Sequence, residues 1–230
     1  MWIYGSSHVN DYVEHIQEEF GGVKYQLINH RDEASKYCNV LMEPPTNAPI
    51  FCHVKERRAI SNKGVNMKNR ITYDGTKYKF KDNDDDDDTN DDDDSDDGDI
   101  LIAYHTPGHT EGVTCYYYKP SNLSSSSSSK EGEHEFSVLF TGDSLYCASN
   151  SGTKKEFNIG PLQFHSYDGN IQDMITTLTF IKDVVQPTYI ICGLIEGNDT
   201  DSDEDDMNSF IMKFQPEQIQ YHIDQLKKQL

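Results

Sequence analysis

Basic residues are scarce in this 230-residue chain, with 20 lysines and arginines against 40 aspartates and glutamates. A nucleic-acid-binding domain needs a basic footprint, so nucleic acid is not an expected partner. The imbalance is local. Asp82–Asp99 holds thirteen aspartates and Asp199–Asp206 six more acidic residues; without these nineteen, 21 acidic residues face 20 basic ones. The folded part is therefore close to neutral, and the acidity belongs to two solvated runs. Long apolar runs are also missing. None approaches the length of a membrane-spanning helix, and no apolar N-terminal segment of signal-peptide length is present, so no membrane association is expected. The five cysteines, Cys38, Cys52, Cys115, Cys147 and Cys192, are odd in number and form no CxxC pair. Scattered thiols without disulfides, in a cytoplasmic and reducing setting, are the expectation.

The length fits one domain with insertions, and the expectation is a single domain over 1–230. Three stretches lack the apolar residues to bury a core: an acidic run at 81–99, a serine-rich run at 121–135 and a second acidic run at 198–208. They read as disordered loop insertions. A calcium loop needs fixed ligand spacing, a central glycine and a terminal glutamate, and the run at 81–99 has no such pattern.

Between the insertions, periodicity predicts an α/β alternation. Val9, Tyr12, Val13, Ile16 and Phe20 recur at helical spacing, with Ser6 or Ser7 as cap and Gly21-Gly22 as stop. Val23–Ile28 reads as a strand, Glu33–Val40 as a short helix ended by Pro44-Pro45, and Pro49–Val54 as a second strand. Ile71–Phe80 around Asp74-Gly75 has the pattern of a β-hairpin. Strands are expected at Asp99–Tyr104, Thr114–Tyr118, Phe136–Phe140 and Thr188–Cys192. Ile171, Met174, Ile175, Leu178, Ile181 and Val185 predict a helix over Asn170–Val185, ended by Pro187. Ile219, Ile223, Leu226 and Leu230 predict a C-terminal helix over Glu217–Leu230.

Two turns carry the chemistry. In His105-Thr106-Pro107-Gly108-His109-Thr110-Glu111-Gly112, a strand runs into a Pro-Gly turn followed by a histidine, and strand ends are where ligands and catalytic groups gather. In Leu139-Phe140-Thr141-Gly142-Asp143, a second strand ends in a glycine turn tipped by a carboxylate. Together these segments resemble the metallo-β-lactamase superfamily, which includes the glyoxalase-II-like metal hydrolases. The resemblance implies a metallo-β-lactamase-like αββα sandwich. It also implies a metal-binding histidine at His109 and a metal-bridging aspartate at Asp143. It spans roughly Ile3–Gly197 minus the insertions. The N-terminal sheet is expected to be short, since few residues precede the first metal motif; an incomplete gene product is the alternative.

The rest of the family's ligand set is sparse. The family's His-x-His-x-Asp-His motif follows a strand. Here His30 matches the first histidine, Asp32 stands at the second, and Ala34 and Ser35 stand at the Asp-His pair. In a looser family version that pair comes later, where this chain has Lys36-Tyr37. Leu194 replaces the histidine of a later Pro-Gly-His-Gly turn, with Cys192 or Glu196 as alternative donors. The resemblance thus implies at most one ion, bound by His109, Asp143 and His30 with Asp32 as a fourth ligand. Zinc is the expected ion, and iron or manganese would also suit these N and O donors. His105 is expected to cap its strand or bond a backbone group, supporting the His109 site from behind. His53 reads as a packed or surface histidine, and His30 with Arg31 can also be read as loop or capping residues. Alternatively, His109 and Asp143 hydrogen-bond each other and the turn serves the fold.

Two functions follow from the resemblance. One is a one-metal hydrolase of an acyl or thioester bond in a small-molecule substrate, the metal lowering the pKa of a bound water. The other is a catalytically inactive relative serving as a binding or scaffold domain, its acidic loops meeting basic partners. Oligomeric state is not readable.

Overall fold

A computed structural model of the chain describes residues 9–35, 38–44, 46–80, 98–121, 136–148, 156–158, 169–192, 195–196 and 211–230. The run 198–208, most of 81–99 and of 121–135, the expected strand at Trp2-Ile3-Tyr4, Lys36-Tyr37 and Leu194 lie outside the described residues. The chain divides into two compact units, Met1–Asp74 and Gly75–Leu230.

The first unit is a small parallel α/β layer. Helix α1 (Val9–Phe20) stops at Gly21 and Gly22, whose φ values of 75° and 113° end a helix at no steric cost. Ile16 is buried, but Phe20 is 75% exposed and takes no part in the apolar face expected of it. Strand β1 (Gln26–Leu27) pairs in parallel with β2 (Ile50–His53), and β2 with β3 (Arg70–Tyr73). Ile50, Phe51, Cys52 and His53 are all buried, as expected of a central parallel strand. The helix expected at 33–40 starts later, as α2 (Cys38–Met42). Glu33 N–H and Ala34 N–H instead close turns onto His30 O and Arg31 O. Ile28, Ala34, Met42, Ile50, Cys52 and Ile60 form the core of this unit with Val65 and Met67. A 3₁₀ turn (Val54–Glu56) and α3 (Arg57–Asn62) connect β2 to β3.

Ile71–Phe80 is not a hairpin. β3 belongs to the three-stranded sheet, whereas β4 (Lys77–Phe80) pairs antiparallel with β5 (Ile100–His105) in a six-stranded sheet. A two-residue type I′ hairpin turn requires positive φ at both central residues, and neither Asp74 nor Gly75 has it. Asp74-Gly75 is instead the junction between the two units.

The second unit is built on the sheet β12-β10-β7-β6-β5-β4. It uses β6 (Thr114–Lys119), β7 (Val138–Gly142), β10 (Tyr189–Cys192) and β12 (Ile211–Lys213). β5, β6 and β7 run antiparallel in sequence, and β10 joins β7 in parallel after the crossover helix α4 (Ile171–Phe180). A smaller sheet, β11-β8-β9, comprises β8 (Tyr146–Ala148), β9 (Glu156–Asn158) and β11 (Ile195–Glu196). Among the described residues, no disulfide joins Cys38, Cys52, Cys115 or Cys192, and no helix is long and apolar enough to cross a membrane.

α4 and α5 (Pro216–Lys227) bury Met174, Ile175, Leu178, Ile219, Ile223 and Leu226 against sheet residues including Leu139 and Ile190. Fully burying such an apolar side chain contributes about 1.5–3 kcal/mol. Asn170 caps α4, its side chain accepting the Asp173 N–H at 2.7 Å. The expected helical face continues through Ile181, but the last turn, Ile181–Val185, is a π-helix. Gln186 N–H closes it onto Ile181 O and adopts φ 44° before Pro187. In α5, Pro216 occupies the first turn, where its missing N–H costs nothing. Leu230, expected on the buried face, is 73% exposed because the helix has ended.

His222 is buried on the inner side of α5. Burial lowers its pKa from 6.5 to about 4. The unfolded chain then takes up a proton near pH 6.5 that the folded chain refuses until about pH 4. The stability associated with neutral His222 is complete above pH 6.5 and falls between pH 6.5 and 4. Replacing His222 with Gln is expected to flatten the pH dependence of the urea midpoint across that interval; an unchanged slope would exclude His222 as its source.

Candidate metal centre

In the second unit, the loop joining β5 to β6 is held by hydrogen bonds from both ends. Thr106 N–H donates to Val113 O at 2.8 Å and Gly108 N–H to Thr110 O at 3.1 Å. His105 Nε2 lies 2.8 Å from Glu111 O. A carbonyl only accepts, so His105 carries its proton on Nε2 and closes the loop across its base. This is the backbone bond expected of His105.

The turn is also clamped to α4. Thr177 Oγ1 donates to Pro107 O at 2.7 Å, and Asn170 N–H donates to Gly108 O at 3.0 Å. A Cβ at Gly108 would lie 2.8 Å from Met174 Cα, and φ there is +151°. Glycine is required on both counts. Sequence reasoning missed Thr177 and the role of Asn170 as a clamp, since nothing local links a helix residue to a turn about seventy positions earlier.

Asp143 follows β7 in a tight turn. Gly142 has φ 49°, and Ser144 N–H closes onto Thr141 O at 3.1 Å. Buried polar groups join this turn to the first. Thr106 Oγ1 donates to Cys115 Sγ at 3.2 Å, and Cys115 Sγ donates to Thr141 O at 3.6 Å. Thr106, Cys115 and Thr141 are at most 1% exposed.

These constraints place His109 Nε2 3.7 Å from Asp143 Oδ2, with the side chains 18% and 32% exposed. That exceeds hydrogen-bonding distance, so these two atoms do not form the direct bond considered from sequence. Two donors on one tetrahedral zinc, each about 2.0–2.2 Å from it, sit about 3.4 Å apart. The pair therefore fits two corners of a one-ion site, and an imidazole with a carboxylate suits zinc, iron or manganese.

The first unit presents a loop, Asn29–Ala34, directly after β1. His30 is 1% exposed, with Nε2 3.7 Å from Asp32 Oδ2 and Nδ1 3.7 Å from Glu33 Oε1. Asp32 is 39% exposed and bonds Lys63 Nζ at 2.9 Å, so Lys63 competes with an ion for this carboxylate. Arg31 is more than a loop residue. Its Nε and an Nη donate to Glu56 at 2.8 and 3.1 Å, and its backbone N–H to the same carboxylate at 3.0 Å. Glu56 is fully buried. Glu33 and Glu56 were not anticipated; in sequence, Glu56 is only the lone acid in a basic run. His53 is packed, its ring edge-on to Tyr73 at 4.9 Å and its Nδ1 capping the 3₁₀ turn.

No family model and no curated protein matches the sequence. Solved structures do. A metallo-β-lactamase from Pontibacter korlensis aligns over 98% of this chain and 80% of its own, with TM-score 0.56 at 10% identity. A metallo-β-lactamase from Cronobacter sakazakii, described by a HARLDQ motif, aligns over 97% and 78% with TM-score 0.54 at 12% identity. The metallo-β-lactamase IND-7 aligns over 98% and 78% with TM-score 0.52 at 12% identity.

The chain has the metallo-β-lactamase fold. The α/β class and αββα architecture expected from the two turns are thus present. Within this metallo-β-lactamase fold, the position expected for the first motif's aspartate is Ala34, which is 3% exposed and part of the apolar core. Ser35 spends its carbonyl on the Cys38 N–H that begins α2.

Two stability outcomes follow. Gly108→Ala, which drives a methyl into α4, is expected to cost about 1–3 kcal/mol. Glu56→Ala, which strands Arg31 in a partly buried site, is expected to cost about 3 kcal/mol. Denaturant midpoints read both, and a neutral Gly108→Ala would refute the close approach of turn and helix.

Proposed function

We propose that the protein is a hydrolase-like member of the metallo-β-lactamase superfamily that binds one metal ion and cleaves an acyl or thioester bond of a small molecule in the cytoplasm, in the manner of the glyoxalase-II-like enzymes. The observation that carries this reading is the His109–Asp143 pair, held at a donor–donor spacing suited to one ion on two braced turns. The ligand order implied by the resemblance supports adding His30 and Asp32 to the same ion, with zinc as the first choice and iron or manganese as alternatives. When bound, the ion would lower the pKa of a coordinated water toward about 7 and polarise the scissile carbonyl. The chain's own part is to hold the histidine and carboxylate apart and partly shielded. His105 shapes the loop and does not meet the ion.

A second reading, a catalytically inactive relative serving as a binding or scaffold domain, is favoured by the apolar burial of Ala34. Elemental analysis separates the two. Protein purified from metal-replete medium is expected to carry about one equivalent of zinc, iron or manganese. His109→Ala is expected to lose at least about 100-fold in metal affinity, together with any thioesterase activity. A wild-type protein with well under one equivalent would leave the scaffold reading in its place.

A further inference from the structure

The loop after β1 contains a device that the metal reading does not use. We infer that Asn29 and Glu33 are positioning residues that fix the tautomer of His30, so that His30 offers Nε2, and not Nδ1, to an ion. The inference rests on the one-metal reading for its purpose but not for its geometry.

His30 Nδ1 lies 3.0 Å from Asn29 Oδ1. An amide oxygen only accepts, so the proton belongs on Nδ1. An asparagine could turn its amide group round and present its NH₂ instead. Glu33 opposes that alternative. Its Oε1 lies 3.7 Å from the same Nδ1, and a carboxylate near a ring nitrogen favours N–H over a lone pair at that position. Glu33 is itself held, because its Oε2 accepts the Asn29 backbone N–H at 3.0 Å. The three side chains are between 1% and 11% exposed. Asn29 therefore touches the imidazole with its side chain and the carboxylate with its backbone, and Nδ1 faces one hydrogen-bonding oxygen at 3.0 Å and one carboxylate charge at 3.7 Å.

A neutral imidazole with its proton on Nδ1 has its lone pair on Nε2. That is the face turned toward Asp32, whose Oδ2 also lies 3.7 Å from its ring nitrogen, Nε2. This carboxylate favours N–H less strongly than Glu33 does, because it is 39% exposed and already paired with Lys63 Nζ at 2.9 Å. Ligand histidines commonly donate their second ring N–H to a carboxylate or a carbonyl oxygen, which orients the ring and raises its basicity. In this loop an amide oxygen supplies the hydrogen bond and a carboxylate the charge. The sequence Asn29-His30-Arg31-Asp32-Glu33 thus divides its labour: Asn29 and Glu33 hold the back of the ring, Asp32 flanks the front, and Arg31 ties the loop to Glu56.

The test uses the full chain and needs no substrate. Imidazole nitrogen NMR on metal-free protein is expected to show His30 with its proton on Nδ1. Glu33→Gln keeps an acceptor for the Asn29 N–H and puts an uncharged NH₂ donor in place of the oxygen facing Nδ1; Asn29→Ala removes the side-chain hydrogen bond to the ring. Each is expected to give a mixture of His30 tautomers and to weaken zinc binding about 10- to 100-fold. A His30 protonated on Nε2 in the wild-type protein would overturn the assignment. So would unchanged zinc affinity in both variants, even with the tautomer as stated, because the brace would then do nothing for the ion. If wild-type protein shows the stated tautomer yet binds no zinc, the metal reading fails and the tautomer assignment stands.

Discussion

A carboxylate with no exposed surface sets the geometry of the first unit. Burying an ion costs several kcal/mol unless it is paired and its lone pairs are filled. Glu56 meets that condition with three hydrogen bonds from one residue, Arg31. The loop after β1 cannot move away from the turn after β2 without exposing that cost. His30, Asp32 and Glu33 all ride on this loop, so their placement depends on the Arg31–Glu56 ion pair. It also explains why the loop keeps its form although the positions of two expected ligands are now Ala34 and Ser35.

The second unit solves a different problem with neutral groups. The turns that carry His109 and Asp143 are joined by hydroxyls, a thiol and backbone carbonyls buried from water. Unsatisfied, such groups would each cost about 1–3 kcal/mol. Satisfied, they hold the ends of three strands in register, and His109 and Asp143 inherit their separation from that register. The result is a candidate pair of donors whose spacing is set by the fold of this unit.

Much of this was legible in the sequence. The helix α4 and the strands β5, β6, β7 and β10 announced themselves through periodicity and turn residues, and the Pro107-Gly108-His109 and Gly142-Asp143 turns marked the fold. What was hidden depended on distance along the chain or on exact length. Asp74-Gly75 has the local chemistry of a hairpin, yet its flanking strands join different sheets, a tertiary outcome no dipeptide encodes. Leu230 and Phe20 continue helical patterns past the points where the helices stop. Glu56 and Glu33 are ordinary charged residues until the fold brings Arg31 and His30 beside them.

The close approach of Gly108 to Met174 bears on how variation in this protein should be interpreted. Because a methyl at 108 would push on the helix that carries Leu178 and Ile175, the Pro-Gly step answers to the core even though it borders the candidate site. Its persistence in a set of related sequences would report selection for a foldable chain and would carry no information about turnover. The neighbouring position is the discriminating one: drift at His109 against a constant Gly108 would mark a lineage that kept the architecture and abandoned the ion.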